Sequence, residues 1–475
     1  MKESYDVVVI GAGIGGLSAG ALLAKKGLSV AVFESQPVAG GYCTSFRRKG
    51  FTFDSCLDAI SGCGDKGWLK RILKKIGVED EVEFVRLDPL RVDNFGGDII
   101  PIPGEIGAYK DLLLNIAPGE RDGIEGLFRT MTSIFRTAMV TTPETLYSDP
   151  RLDGRGDDLA KFRRLTYKAL LDDFVKDHRV RAVLSDRSAF MGLQPSKVSA
   201  VALVTMLMTF ADGGGYRIKD GAQKLAGAFV KGLKDSGGEL FLRKPVTEIV
   251  SENGRATGVM VGEHRVKAKA VISGIDATKT CKMTGLGVDD TLKPSTSFFM
   301  VYLGLGKDID MPDSMGFYPG YDIEGTFADT SRDIASPRAS VEIINYSRIS
   351  PGMAPAGCST VMLMSKAAYA YGKPWHSCKR EEMDRLIGLA GNALPVLVDN
   401  ITYAEAATPL TLERYTANVS GAAFGWEQGP YNKRSGSATA LPGLFMVGHW
   451  TYPGGGIESV AASGLVAAEK AASAI

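Results

Sequence analysis

Two short apolar runs near the start of the chain stop at charged or glycine positions. Residues 5–10 (Tyr-Asp-Val-Val-Val-Ile) run into Gly11, and Val30-Ala-Val-Phe runs into Glu34, with a helix-length gap between them. Unbroken apolar runs of this length, bounded by turn signals, read as strands, so strand–helix–strand is predicted. A second segment, 220–280, carries the same alternation. Gly221-Ala-Gln-Lys-Leu opens an amphipathic helix to about Asp235, and Gly237-Gly238 ends it as a C-cap. Strands at 239–242, 247–251 and 256–261 follow, the last two joined by Asn253-Gly254, a strong hairpin signal, and 268–273 is one more apolar strand. A third segment has a strand at 444–447 after Pro442-Gly443, a glycine-rich turn, and a long Ala-rich helix.

Two inserts separate these segments. Residues 90–215 read as mainly helical, and 290–405 carry strands at 297–305, 340–345 and 360–364 and a helix over 381–394. The longest apolar run, residues 198–211, is interrupted by Ser199, Thr205 and Thr209. A membrane-spanning helix needs ~20 apolar residues, so this one is expected to be buried or interfacial. Its Met206, Met208 and Phe210 could line a tunnel for a long lipid or meet a membrane leaflet, and ordinary core is the alternative.

The first strand leads into Gly11-x-Gly13-x-x-Gly16, and the second ends in an acid. Gly11 permits the tight turn, Gly13 lets a pyrophosphate approach the backbone, and Gly16 lets the helix pack on the strand. The phosphates meet the free N–H groups of the helix starting near Ile14. Glu34 can accept ribose hydroxyls. The candidate contacts here are Gly11, Ala12, Gly13, Ile14, Gly15 and Gly16, with Glu34 and Ser35 at the second strand's end. Gly304-x-Gly306 and Gly213-Gly214-Gly215 lack the surrounding pattern and read as turns. The expected fold is α/β: a discontinuous Rossmann-like dinucleotide-binding domain (1–89, 216–289, 406–475) with a mixed α+β substrate domain (90–215, 290–405).

Size and charge narrow the class. The chain has 475 residues, 45% hydrophobic and 23% charged, with a net charge of +1. It is long enough for two or three domains, and no global field would gather nucleic acid. Six cysteines without a CxxC pair suit reduced thiols in the cytoplasm, and four isolated histidines argue against a metal site. The stretch 151–187, dense in both signs (Asp157, Arg163, Lys168, Asp172), reads as a solvated helical surface.

The segment from Gly443 to Gly464 decides the cofactor. A short strand ending in Val447-Gly448 brings backbone close to a ribityl-phosphate chain, and a helix beginning near Gly456-Ile457 can aim its N–H groups at a flavin ring. An NAD dehydrogenase has no need of such a second site, so the expected cofactor is FAD.

With those residues in view, the chain resembles the FAD-dependent carotenoid desaturases, carotenoid cis–trans isomerases and retinol saturases, within the amine-oxidase-like flavoproteins. Val38-Ala-Gly40-Gly41-Tyr42-Cys-Thr44 and Gly50-Phe-Thr-Phe-Asp54 carry the resemblance, as do the Tyr216–Leu242 region, Pro245-Val246-Thr-Glu-Ile, Val271-Ile-Ser-Gly-Ile-Asp276 and Gly448 to Gly464. The resemblance implies FAD contacts at Gly40, Gly41, Tyr42, Thr44 and Val246, besides Gly448, Gly456 and Ile457. It covers the cofactor side only. Where the family often has Gln, Asp or Glu after the Val-Gly, this chain has His449.

The pKa of a histidine, near neutrality, makes His449 the natural acid–base candidate; it is also a candidate cofactor contact, or a side chain that fills space beside Trp450. Tyr452 is the second catalytic candidate. Trp450 and Tyr452 could wall a flat substrate, or pack in the core. Glu458 can complement its helix N-terminus, Asp54 can fix its own turn, and Arg217 can pair with an anion. The expectation is an FAD-dependent oxidoreductase that desaturates, saturates or isomerises carbon–carbon bonds of a lipophilic isoprenoid or polyene. Its electron acceptor is left open, and peripheral membrane contact is a further expectation. The alternatives are an amine-oxidase-like enzyme on a polar amine, with Trp426, Trp450 and Tyr452 as its aromatic cage, and a flavoprotein with structural FAD.

Overall fold

The computed structural model describes residues 1–140, 158–330, 332–432 and 435–475. Two seven-stranded sheets organise them, drawn from different stretches of chain. The first runs Val246–Glu252, Arg255–Val261, His264–Ser273, Ser4–Ile10, Val30–Phe33, Glu239–Phe241, with Leu444–Met446 parallel to the end of His264–Ser273. Ser4–Ile10 pairs in parallel on both sides, and Val7, Val8 and Val9 are fully buried. A parallel strand covered on both faces needs such a continuous apolar run. Asn253 and Gly254 make the expected hairpin turn, with φ of 50° and 72°. The strand expected at 268–273 starts earlier, at His264, because a second hairpin pairs it with Arg255–Val261.

The first helix, Ile14–Lys25, is buried from Ile14 to Ala24. The last helix, Ile457–Ser473, lies directly against it. Small residues make this possible: a Cβ on Gly464 would come 2.6 Å from the Gly15 carbonyl oxygen. The Ser18 hydroxyl donates to the Ala461 carbonyl at 2.9 Å, joining positions 443 residues apart.

The second sheet runs Ile401–Ala407, Ser297–Leu305, Ser359–Ala367, Val341–Asn345, Ser314–Tyr318, Arg91–Phe95, Asp98–Ile102. It corrects several expectations. The insert that begins at residue 90 does not open on a helix but on a hairpin, Arg91–Phe95 with Asp98–Ile102. Arg91 and Asp93 in that strand are buried and paired with each other, Nε to Oδ1 at 2.6 Å, so no apolar alternation marks it. Ser314–Tyr318 and Ile401–Ala407 join the sheet without having been anticipated. Gly304 is not a turn. It lies inside Ser297–Leu305, where its missing side chain leaves room for the Phe51 ring. The glycine run at 213–215 does end a helix, Ala200–Gly213, with Gly214 at φ 81°. The helix expected over 381–394 begins earlier, at Trp375.

Residues 151–157 of the charge-dense stretch, Asp157 among them, lie outside the described residues. Beyond them, Lys161–Asp173 and Lys168–Asp172 pair at 2.7 Å on the surface. Arg163 is buried, contrary to a wholly solvated face. No helix among the described residues is long and apolar enough to cross a membrane.

Candidate cofactor and substrate cavity

A continuous cavity of about 1080 Å³ runs from the first glycine turn, between the two sheets, to the Ala200–Gly213 helix. Its first half is backbone. Gly11 leaves the first strand with φ 91°, and the next helix starts from Gly13, which caps it without a side chain. The helix has no acidic residue in its first turn, so its free N–H groups face the cavity without an internal anion. A Cβ at Gly13 would meet nothing within 4 Å, whereas one at Gly16 would collide with the Gly11 carbonyl. Gly40 donates its N–H to the Ala12 carbonyl at 2.8 Å, and a Cβ on Gly41 would lie 3.3 Å from Gly13 Cα. Three glycine backbones therefore converge on one side of the cavity, the opening that a pyrophosphate needs.

Glu34 is already engaged. Its Oε2 accepts the Ala12 N–H at 2.8 Å, and its Oε1 accepts the Gln36 N–H at 2.8 Å and the Ser35 hydroxyl at 3.1 Å. It thus pins the glycine turn to the end of the second strand and still borders the cavity beside Ser35. Ile14, Gly15, Tyr42, Thr44, Val246, Gly448, Gly456 and Ile457 line the same cavity, while Ala12 sits buried behind it. Tyr42 donates to the Ala422 carbonyl at 2.9 Å, and burial raises its phenol pKa. At the far side, Gly448 donates its N–H to Ser463 Oγ at 2.9 Å, and Gly456, at φ 101°, caps the last helix without a side chain. Two uncapped helix N-termini therefore open on one space. The residues fit a dinucleotide bearing a ring system at its far end.

His449 lines the same cavity beside Gly448, its Nδ1 3.3 Å from the Ala423 carbonyl. Enclosure by protein pushes its pKa down from 6.5 to about 4. The near-neutral value that recommended it as an acid is not kept, and the imidazole is neutral at pH 7. Because the folded value lies below the unfolded one, the unfolded chain binds more protons between them. His449 therefore contributes stability that is complete above about pH 6.5 and is lost as pH falls toward 4. We expect the wild type to lose ~2 kcal/mol more than His449→Asn across that interval, allowing for the ring's partial exposure to the cavity. Thermal melts against pH with excess FAD would measure it, and parallel curves would refute it.

The remaining candidates divide. Tyr452 lines the cavity. Trp450 does not: it is buried edge-on against Trp426, ring centroids 4.7 Å apart, with its indole N–H on Asn418 Oδ1 at 2.8 Å. The aromatic cage proposed for an amine is therefore core at two of its three positions. Asp54 fixes its turn, accepting from the Ser45 hydroxyl at 2.6 Å and the Ala222 N–H at 2.8 Å, and burial lifts its pKa to about 6. Glu458 accepts the Ser61 hydroxyl at 2.7 Å and the Trp68 N–H at 3.2 Å, and burial raises its pKa too. Arg217 has its anion inside the protein, Asp58 at 2.9 Å.

The second half of the cavity was not legible as a motif. It is walled by Phe190, Met191, Val201, Ala202, Met206 and Phe210 on the helical side and by Phe298, Tyr302 and Met364 from the second sheet. Met208 turns away into the helical core. Glu342 and Lys366 line this half from two buried strands, and Arg48, Asp58, Lys379 and Glu405 are further charged groups on the cavity wall. A lysine inside such a strand is the one sequence signal that could have marked the place.

Residues 14–281 match the model of the flavin-containing amine oxidoreductase family. The chain is 26% identical to prolycopene isomerase 1, chloroplastic, of an Oncidium hybrid cultivar, covering 99% of this chain and 84% of that protein. It is 26% identical to a neurosporene-forming phytoene desaturase of Rhodobacter capsulatus (97% and 93% covered). Against an all-trans-retinol 13,14-reductase of Danio rerio it is 24% identical (90% and 79% covered). Among solved structures, an oxidoreductase from Methanosarcina mazei superposes with a TM-score of 0.65 at 19% identity, covering 98% of this chain and 99% of that one.

Proposed function

The chain belongs to the flavin-containing amine oxidoreductase family and is an FAD-dependent oxidoreductase, and we propose that it acts on carbon–carbon bonds of a lipophilic isoprenoid or polyene substrate. The observation that carries this reading is the continuity of the glycine-lined half of the cavity with a second half walled by Met, Phe and Val. A long apolar chain would lose water along that wall at roughly 25 cal/mol per Å² buried. The relatives named for prolycopene, phytoene and retinol support the same class.

Gly11, Gly13, Gly40 and Gly41 would hold the pyrophosphate, with Gly16 seating the helix on its strand, Glu34 would hold the ribose, and Gly448, Gly456 and Ile457 the ring end. FAD, when bound, supplies hydride exchange with carbon, and the protein supplies orientation and exclusion of water. His449 and Tyr452 border the reacting end. The neutral imidazole would offer a hydrogen-bond acceptor there, and its Nδ1 contact to Ala423 orients the ring. The same proposal divides the chain into a cofactor domain (1–89, 216–289, 406–475) and a substrate domain (90–215, 290–405). It also includes peripheral membrane contact. Met139 and Val140, exposed at the end of the Arg121–Met139 helix, follow Ala138, which lines the cavity.

The test is anaerobic titration of the FAD-loaded protein with polyenes and with simple amines, following flavin absorbance and separating the products. A changed double-bond pattern in the polyene is expected, with or without net flavin reduction. Flavin reduction by amines with every polyene untouched would replace this reading with the amine-oxidase one.

A further inference from the structure

The wall of the apolar half is not uniformly apolar. On Ser359–Ala367, Met362, Met364 and Lys366 share one face, and the register sets Lys366 opposite Phe298 and Met364 opposite both Met300 and Glu342. Lys366 is thus an interior lysine, 6% exposed, lining the cavity between aromatic and thioether side chains. Lysine stems ordinarily carry the ammonium out to water, and holding one inside costs several kcal/mol unless partners replace that water.

Its partners are few. Nζ lies 3.8 Å from the centre of the Phe327 ring and reaches Ser340 Oγ only at 3.5 Å. Among the described residues no carboxylate comes within ion-pair distance of it, and burial pushes its pKa down to about 8. The neighbouring carboxylate is Glu342. Its Oε1 accepts the Tyr318 hydroxyl at 3.2 Å. Its Oε2 lies 2.9 Å from Arg91 Nη2 yet accepts no hydrogen bond. One rung of the sheet therefore presents a lysine with a single long hydrogen bond, and the next a carboxylate oxygen that is ion-paired to Arg91 but accepts no hydrogen bond, both lining the cavity.

Resting on the polyene reading above, we infer that Lys366 and Glu342 bind a hydroxyl group at the end of the substrate, which is an alcohol rather than a pure hydrocarbon. A hydroxyl is the small group that both accepts and donates. It takes a hydrogen bond from Lys366 Nζ and gives one to Glu342 Oε2. A carboxylate would satisfy the lysine and be repelled by Glu342. A methyl end would leave both polar groups dry, and a site built for an OH rejects the analogue lacking it for that reason.

The test uses the FAD-loaded protein and three probes sharing one polyene chain: all-trans-retinol, all-trans-retinoic acid, and the hydrocarbon ending in methyl. Binding is read from the perturbation of the flavin spectrum. In the wild type, retinol should bind at least ~10-fold tighter than either of the others, the scale of a hydrogen bond to a charged group. Lys366→Met, close in length and apolar, should remove that preference while FAD content stays the same. Equal binding of retinol and the hydrocarbon by the wild type would overturn this inference and leave the polyene reading standing. So would a Lys366→Met protein that keeps the preference. Absence of binding by all three, with flavin reduced by amines, would overturn both.

Discussion

Replacing Gly13 by alanine is expected to strip the protein of FAD without weakening its fold. Gly13 has φ −69° and ψ 169°, an extended conformation open to any residue, and a Cβ there would touch nothing in the protein. The space it would enter is the space the cofactor needs. FAD affinity should fall roughly 100-fold, equivalent to ~2.7 kcal/mol. Unfolding of the FAD-free protein should move by no more than ~0.5 kcal/mol, the usual range for a change that disturbs no packing. Gly16→Ala should behave in the opposite way. Its Cβ would press on the Gly11 carbonyl, a backbone atom that cannot step aside, so the fold itself should lose ~1–3 kcal/mol. Flavin-to-protein absorbance ratios and denaturant melts of the FAD-stripped proteins would separate the two effects. Full flavin retention by Gly13→Ala would remove that turn from the cofactor site.

A charge at Met206 should cost turnover and leave the cofactor in place. In the Ala200–Gly213 helix, Leu203, Val204 and Leu207 are buried in the helical layer, while Ala202, Thr205, Met206 and Thr209 are half-buried along the cavity. Met206→Lys would put an ammonium into an apolar wall where a polyene must lie. The cost of dehydrating an unpaired polar group, ~1–3 kcal/mol or more, predicts a roughly 10- to 100-fold drop in polyene turnover. FAD content should not change. Leu203→Lys, aimed into the packed layer, should lose fold and flavin together. If Met206→Lys also unfolds and sheds FAD, the helix is ordinary core and the cavity wall lies elsewhere.

The cofactor half was legible because its chemistry is written in local spacing. Gly11, Gly13 and Gly16 shape one turn and one helix end, and Glu34 closes the unit one strand later, so neighbours in sequence are neighbours in space. The Asn253-Gly254 hairpin was legible for the same reason, since its turn conformation is set by two residues. What depends on partners far along the chain was not. The strand Arg91–Phe95 is polar by composition and becomes buried only because Glu342 and Tyr318, from other strands, meet Arg91. Gly304 read as a turn residue until Phe51 arrived to fill the place of its side chain.

His449 and Trp450 are adjacent in sequence, yet one borders the cavity and the other packs on Trp426 inside the protein. Nothing in residue type separates them. The division follows from which side of the Gly448 turn each side chain leaves, and that turn is held by Ser463 and the first helix. By itself the sequence determined the strand–turn–helix units, the glycine turns and the dinucleotide they imply, because those rest on backbone geometry over a few residues. Only the tertiary structure decided that the two helix N-termini share one cavity, that Met206 rather than Met208 lines it, and that Lys366 and Glu342 line it too. Each of these is a matter of desolvation and of register between strands distant in sequence, for which no local pattern exists.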